Sequence, residues 1–183
     1  MFKVELVAHM DAGDRTLWQG DQDERPLSEL GRRQAEAVCA SLASSSVEGL
    51  FSSPALRCRQ TLAPLTEAFR LEVSVLPGLR ETGGFPPPTG WGSFLVPESA
   101  YGGAHAAGSA YRALADIRAA TPEGHVAVCS HGDVVPALVV FLGARYDVPV
   151  PEPRPQRPMW YTLEFEGDAL RVEVRPSPPG FPA

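Results

Sequence analysis

Apolar and polar positions alternate along this chain between short runs and helical spacings. Residues 2–7, Phe-Lys-Val-Glu-Leu-Val, make a short apolar run that stops at Ala8, His9, Met10 and Asp11. A run of that length, bounded at once by charge and glycine, predicts a buried strand handing one imidazole to a loop. Residues 125–129 repeat the design and end in Ser130, His131, Gly132 and Asp133. Between the two, Leu30, Ala35, Val38 and Leu42 recur at helical intervals after Ser28 and before three serines, which predicts a helix from 28 to 42 capped by Ser28. A strand over 47–51 follows, turned by Ser52, Ser53 and Pro54 into a helix reaching about 69, with Pro54 suited to the first turn. Further along come a strand over 71–76, a helix over 106–120 and an apolar helix opened by Asp133 and running through 141. The runs 159–165 and 170–174 flank Glu166-Gly167-Asp168, the signature of a hairpin.

Strands alternating with helices imply βαβ units. The fold class is therefore α/β: a three-layer sandwich whose mostly parallel central sheet carries helices on both faces, with a C-terminal β-hairpin added. At 183 residues the simplest organisation is one domain over 1–183. Two stretches interrupt the pattern. Residues 11–26 form a loop with five acidic residues directly after His9, placed to frame a pocket. Residues 82–103 are rich in glycine and proline yet carry Phe85, Trp91, Phe94 and Tyr101, which predicts a lid or substrate wall. The proline-rich segments 149–158 and 176–183 read as irregular coil.

Composition narrows the partners. A hydrophobic content of 44% with 21% charged residues is that of a globular chain. The net charge of −6 argues against a nucleic-acid partner or an anionic membrane surface, because no broad basic face is available to neutralise phosphates. A small anion needs only a few local cations. The three cysteines lack metal-ligand spacing and read as reduced thiols in a cytoplasmic protein without a signal peptide or membrane span. Cys39 and Cys129 suit core packing, whereas Cys58 beside Arg57 has a route to a depressed pKa.

The segment from Ser52 to Thr61 reads S-S-P-x-x-R-x-x-Q-T, with a strand ending in histidine far before it and another far after it. That order resembles the histidine phosphatase (phosphoglycerate mutase-like) superfamily, in its short bacterial phosphatase branch, from Phe2 to about Leu142. The resemblance implies a phosphomonoesterase that needs no metal or cofactor and acts on a small phosphorylated molecule or a phosphoprotein. It implies His9 as the nucleophile that forms a phosphohistidine, His131 as a second histidine contacting the phosphoryl group, and Arg57 as the phosphate clamp. Glu81 takes the position of the acid/base carboxylate. On the helix of Arg57, Gln60 and Thr61 share its face, while Arg59 points away toward the surface. Asp133 reads as an N-cap, Asp11 and Asp14 as solvated loop residues, and the face of Arg32, Arg33 and Glu36 as solvent-exposed.

Ala8 departs from the family, whose members carry an arginine before the nucleophile. Losing one preorganised charged donor removes ~3 kcal/mol of transition-state stabilisation. Arg15 is the candidate phosphate-binding replacement, with Arg80 beside Glu81 as a second. Met10 stands where the family has a small residue, and its side chain competes for phosphoryl space. Two alternatives stay open beside the phosphatase: an impaired member that binds a phosphorylated ligand or partner, and a repurposed enzyme acting on a less charged substrate.

Overall fold

A computed structural model describes residues 1–81, 98–151 and 158–182. Six strands make one sheet: β1 (Phe2–Ala8), β2 (Gly49–Ser52), β3 (Val73–Val75), β4 (His125–Ser130), β5 (Trp160–Glu166) and β6 (Ala169–Val174). Their order is β3-β2-β4-β1-β5-β6. Strands β1 to β4 run parallel, and β5 and β6 add an antiparallel hairpin at one edge. This is the α/β sandwich expected from the alternation of runs.

Helices cover both faces, which is why the central strands read as almost continuous apolar runs. Successive side chains of β1 point to opposite sides. Val4, Leu6 and Ala8 enter one core with Leu114 and Ile117 of α3 (Glu98–Ala120) and Val135 and Leu138 of α4 (Val134–Tyr146). Val7 enters the other with Val38 and Leu42 of α1 (Glu29–Leu42) and Leu62 and Leu65 of α2 (Leu56–Phe69). Truncating any of these buried leucines to alanine removes about 2–5 kcal/mol. Ser28 caps α1 as expected, its side chain accepting from the Gly31 amide.

Several elements differ from their sequence expectation. Helix α3 begins at Glu98 rather than 106, so Tyr101, Gly102 and Gly103 are helical and not part of an irregular lid. The glycines lower helix propensity, but packing outweighs it: Ala106, Ala107, Ala110 and Ala113 are buried, and a Cβ at Gly78 would come 2.8 Å from the Ser109 carbonyl oxygen. The rest of the expected lid, with Phe85, Trp91 and Phe94, lies outside the described residues. Helix α4 runs on to Tyr146 and ends where Asp147 turns left-handed at φ 52°. Asp133 occupies its N-cap position without making a side-chain cap hydrogen bond. Residues 176–182 are irregular, as read, and Phe181 packs against the α1/α2 core.

The loop after β1 is fastened by α1. A Cβ at Gly31 would lie 1.9 Å from the Asp11 carbonyl oxygen, so only glycine lets the helix approach so closely. Ser28 Oγ donates to Asp11 Oδ1 at 2.6 Å, and the Asp11 amide donates to Gln34 Oε1 at 3.0 Å.

One polar hub sits inside the sheet. Glu5 is 2% exposed; Trp160 Nε1 and Thr162 Oγ1 each donate to its Oε2 at 2.8 Å, and His125 Nε2 lies 3.2 Å from its Oε1. Burial pushes the Glu5 carboxyl up, but His125, Thr162, Trp160 and the Arg175 charge together bring it below the usual carboxylate value of 4.5. A carboxyl depressed by folding stabilises the fold above its unfolded pKa, and that contribution fades as pH falls through the folded value. Urea unfolding of the wild type should therefore lose free energy as pH drops below 4.5. Glu5→Gln should be less stable at neutral pH and show a flatter acid limb, and an unchanged limb would contradict the assignment.

Candidate active site

The parallel pairing of β1 with β4 ends at Ala8 opposite Ser130, so the next residue of each strand is a histidine at the same edge of the sheet. The His9 amide donates to the Ser130 carbonyl at 2.8 Å, and the two imidazole rings stand 5.5 Å apart at 77°. His9 Nδ1 lies 2.7 Å from the Met10 carbonyl oxygen. A carbonyl only accepts, so Nδ1 carries the proton and Nε2 is left with an in-plane lone pair.

Arg57 enters from the first turn of α2. It is 1% exposed, and its Nη2 lies 3.2 Å from His131 Nδ1 and 3.2 Å from Glu81 Oε2, while Nη1 donates to the Gln22 carbonyl at 2.5 Å. Its Nε is buried without a hydrogen-bond partner among the described residues. A guanidinium cannot accept, so His131 Nδ1 is the acceptor and Nε2 holds the proton, donated to Ser53 Oγ at 2.8 Å. The His131 carbonyl accepts from the Val134 and Val135 amides, which sets the ring just ahead of the α4 N-terminus and its partial positive charge.

Glu81 joins two cations, with Arg57 on Oε2 and Arg15 Nη1 on Oε1 at 3.3 Å. Arg15 thus reaches the rim of the cluster. Arg80 does not join it: its side chain is exposed and paired with Asp23 at 3.0 Å. Ala8 is buried against α3 and α4 and offers no donor.

Two expectations for this site are corrected. The Met10 side chain is 0% exposed and packs in the α1/α2 core, away from any phosphoryl position. Only its amide serves the site, donating to Thr61 Oγ1 at 3.0 Å, which in turn donates to the Arg57 carbonyl. Arg59 is half-buried rather than a surface residue.

Three residues escaped the sequence. Ser53, inside the S-S-P motif, holds His131. Gln22 serves Arg57 through its backbone carbonyl, which no side-chain pattern reveals. Arg25, 7% exposed, donates from Nη1 to the Ala12 and Gly13 carbonyls at 2.7 and 3.0 Å and from Nε to Gln22 Oε1 at 3.1 Å, closing the loop on itself.

Cys58 touches the cluster, its Sγ 3.6 Å from His131 Nε2. Burial pushes the thiol up, while hydrogen bonds with Cys129 and His131 and the Arg57 charge pull it below the usual thiol value. Its neighbour Cys129 is pushed well up, by burial first and then by Cys58. Among the described residues no group of three or more His, Cys, Asp or Glu side chains gathers to hold a metal ion. No described helix is long and apolar enough to cross a membrane.

Two imidazoles and a buried guanidinium gather at the carboxyl ends of the parallel strands of a histidine phosphatase-like fold. Residues 9–84 match the histidine phosphatase superfamily (branch 1), and the chain belongs to it. It is 32% identical over 136 residues to the 8-oxo-(d)GTP phosphatase of Mycolicibacterium smegmatis, covering 74% of this chain and 36% of that protein. The chain thus spans about a third of the length of that curated relative. Among solved structures, Bacillus stearothermophilus YhfR superposes with a TM-score of 0.71 at 18% identity, covering 96% of each chain. Mycobacterial glucosyl-3-phosphoglycerate phosphatase gives 0.68 at 22%, covering 94% of this chain and 97% of its own. The protein histidine phosphatase SixA, complexed with tungstate, gives 0.62 at 22%, covering 97% and 98%. These structural likenesses carry the fold.

Glu81 competes with any oxyanion for Arg57. Glu81→Gln is expected to tighten inorganic phosphate about tenfold, ~1.4 kcal/mol, by calorimetry. Unchanged or weaker binding would contradict this placement of the carboxylate.

Proposed function

We propose that the chain is a phosphomonoesterase working through a phosphohistidine at His9 on small phosphorylated molecules. The observation that carries this reading is the buried Arg57, held between His131 and Glu81 at the edge where His9 emerges, with its Nε donor unused within the described chain. A buried cation so arranged is suited to two parallel hydrogen bonds to phosphoryl oxygens.

In the first step His9 Nε2 attacks phosphorus and the ester P–O bond breaks. The leaving oxygen takes a proton delivered from solvent through Glu81, which the arriving phosphoryl group has displaced from Arg57. In the second, water attacks the phosphohistidine, Glu81 takes the proton from that water, the P–N bond breaks and inorganic phosphate departs. Arg57, held in place by His131 Nδ1, and the α4 N-terminus stabilise the charge that develops on the phosphoryl oxygens. Arg15, tethered through Glu81, is the cation that takes over the role absent at Ala8.

Relatives named as phosphatases of 8-oxo-(d)GTP and of glucosyl-3-phosphoglycerate support a small phosphorylated substrate. The free state of all three cysteines supports a reducing, cytoplasmic setting. Ala8 favours a second reading, a member that binds a phosphorylated ligand without turning it over.

The test is hydrolysis of an aryl phosphate in the presence of a chelator. The wild type should turn over, His9→Ala should be inactive, and Ala8→Arg should gain on the order of a hundredfold in rate. Equal inactivity of wild type and His9→Ala, with phosphate still bound, would establish the binding reading instead.

A further inference from the structure

The loop that follows His9 is tied to the site twice, once to its carboxylate and once to its buried guanidinium. Arg15 Nη1 sits 3.3 Å from Glu81 Oε1, and the Gln22 carbonyl accepts from Arg57 Nη1 at 2.5 Å. Gln22 Nε2 also donates to the Arg15 carbonyl at 3.3 Å, drawing the two ties together. Between them the chain exposes two large apolar side chains, Leu17 at 75% and Trp18 at 36%. Core packing does not account for either.

The indole is nevertheless held in place. Trp18 Nε1 donates to the Asp21 carbonyl at 2.8 Å. Gly20 lies against the ring, and a Cβ there would come within 3.2–3.3 Å of Nε1, Cε2 and Cζ2. Asp21 immediately precedes Gln22, so two hydrogen bonds and one residue step separate the indole nitrogen from the Arg57 guanidinium, about 10 Å at most. That is the span of a sugar between a phosphate and a ring. The same loop carries Asp11, Asp14, Asp21, Asp23 and Glu24 against Arg15 and Arg25, and stays net negative with Arg80 paired to Asp23, a balance that disfavours additional phosphates.

We propose that Trp18, flanked by Leu17, is the platform on which the substrate's leaving group stacks, and that this group is a planar aromatic ring one sugar length from a single phosphate, as in a nucleoside monophosphate. The assignment rests on the phosphatase reading and deepens it. Base-on-aromatic stacking contributes about 1–3 kcal/mol. Its loss raises KM about tenfold without touching the chemical step.

The experiment compares a nucleoside 5′-monophosphate with glycerol phosphate on the wild type, Trp18→Ala and Trp18→Phe, with inhibition by inorganic phosphate measured on each. The expected result for Trp18→Ala is a KM about tenfold higher for the nucleotide with kcat unchanged. Glycerol phosphate kinetics and phosphate inhibition should stay as in the wild type, and Trp18→Phe should restore most of the nucleotide KM. An equal change for both substrates, or none for either, overturns the platform while leaving the phosphatase reading in place. A wild type that hydrolyses neither these substrates nor an aryl phosphate overturns both.

Discussion

The parallel pairing of β1 with β4 is the constraint on which the site depends. Both strands are buried on both faces, and side chains alternate between two cores, so a slip of one residue would turn every apolar side chain to the wrong layer. The register is thereby fixed, and it ends with Ala8 opposite Ser130. His9 and His131 are the first residues beyond it. Their rings come together because two hydrophobic strands have one permitted alignment. On the other side of β4, β2 ends at the same edge and leads into α2, which supplies Arg57. In open α/β sheets this edge is where ligands bind.

Around that frame the site is organised by one buried charge. A guanidinium at 1% exposure must be compensated, and here the compensation is partial: one carboxylate at 27% exposure, one backbone carbonyl and one imidazole nitrogen. The loop after His9 folds back over Arg57 to provide the Gln22 carbonyl, and Arg25 fixes that loop by binding its own carbonyls. Glu81 holds Arg57 and Arg15 at once, so an arriving oxyanion would exchange a carboxylate for a phosphoryl group across the same two cations. The absence of a donor at Ala8 makes this exchange more consequential than it would be beside a further arginine.

Much of the frame was legible in the sequence because it is written in period and punctuation. Apolar runs of strand length, the Ser28 cap and the hairpin turn each have a local cause, and the structure realises all three. Helix α3 was misplaced because Gly102 and Gly103 speak against helix locally, whereas the burial of four alanines speaks for it only once α4 and the Pro77–Leu79 turn are in position. Met10 misled for a related reason: which way a side chain turns after a strand end depends on the core beneath it. In the site, the residues carried by the motif came together, while those acting through backbone atoms or through one another did not show. The Gln22 carbonyl, the Ser53 hydroxyl on His131 and the Arg25 brace have no signature in residue type alone.

The most direct test of the central claim is chemical trapping of the protein during incubation with a phosphate ester. Rapid quench into alkali, where phosphohistidine survives, followed by mass spectrometry of the peptides should find the mass of one phosphoryl group on His9 in the wild type and on no residue of His9→Ala. A wild type that hydrolyses phosphate esters without ever carrying that mass on His9 would contradict the account.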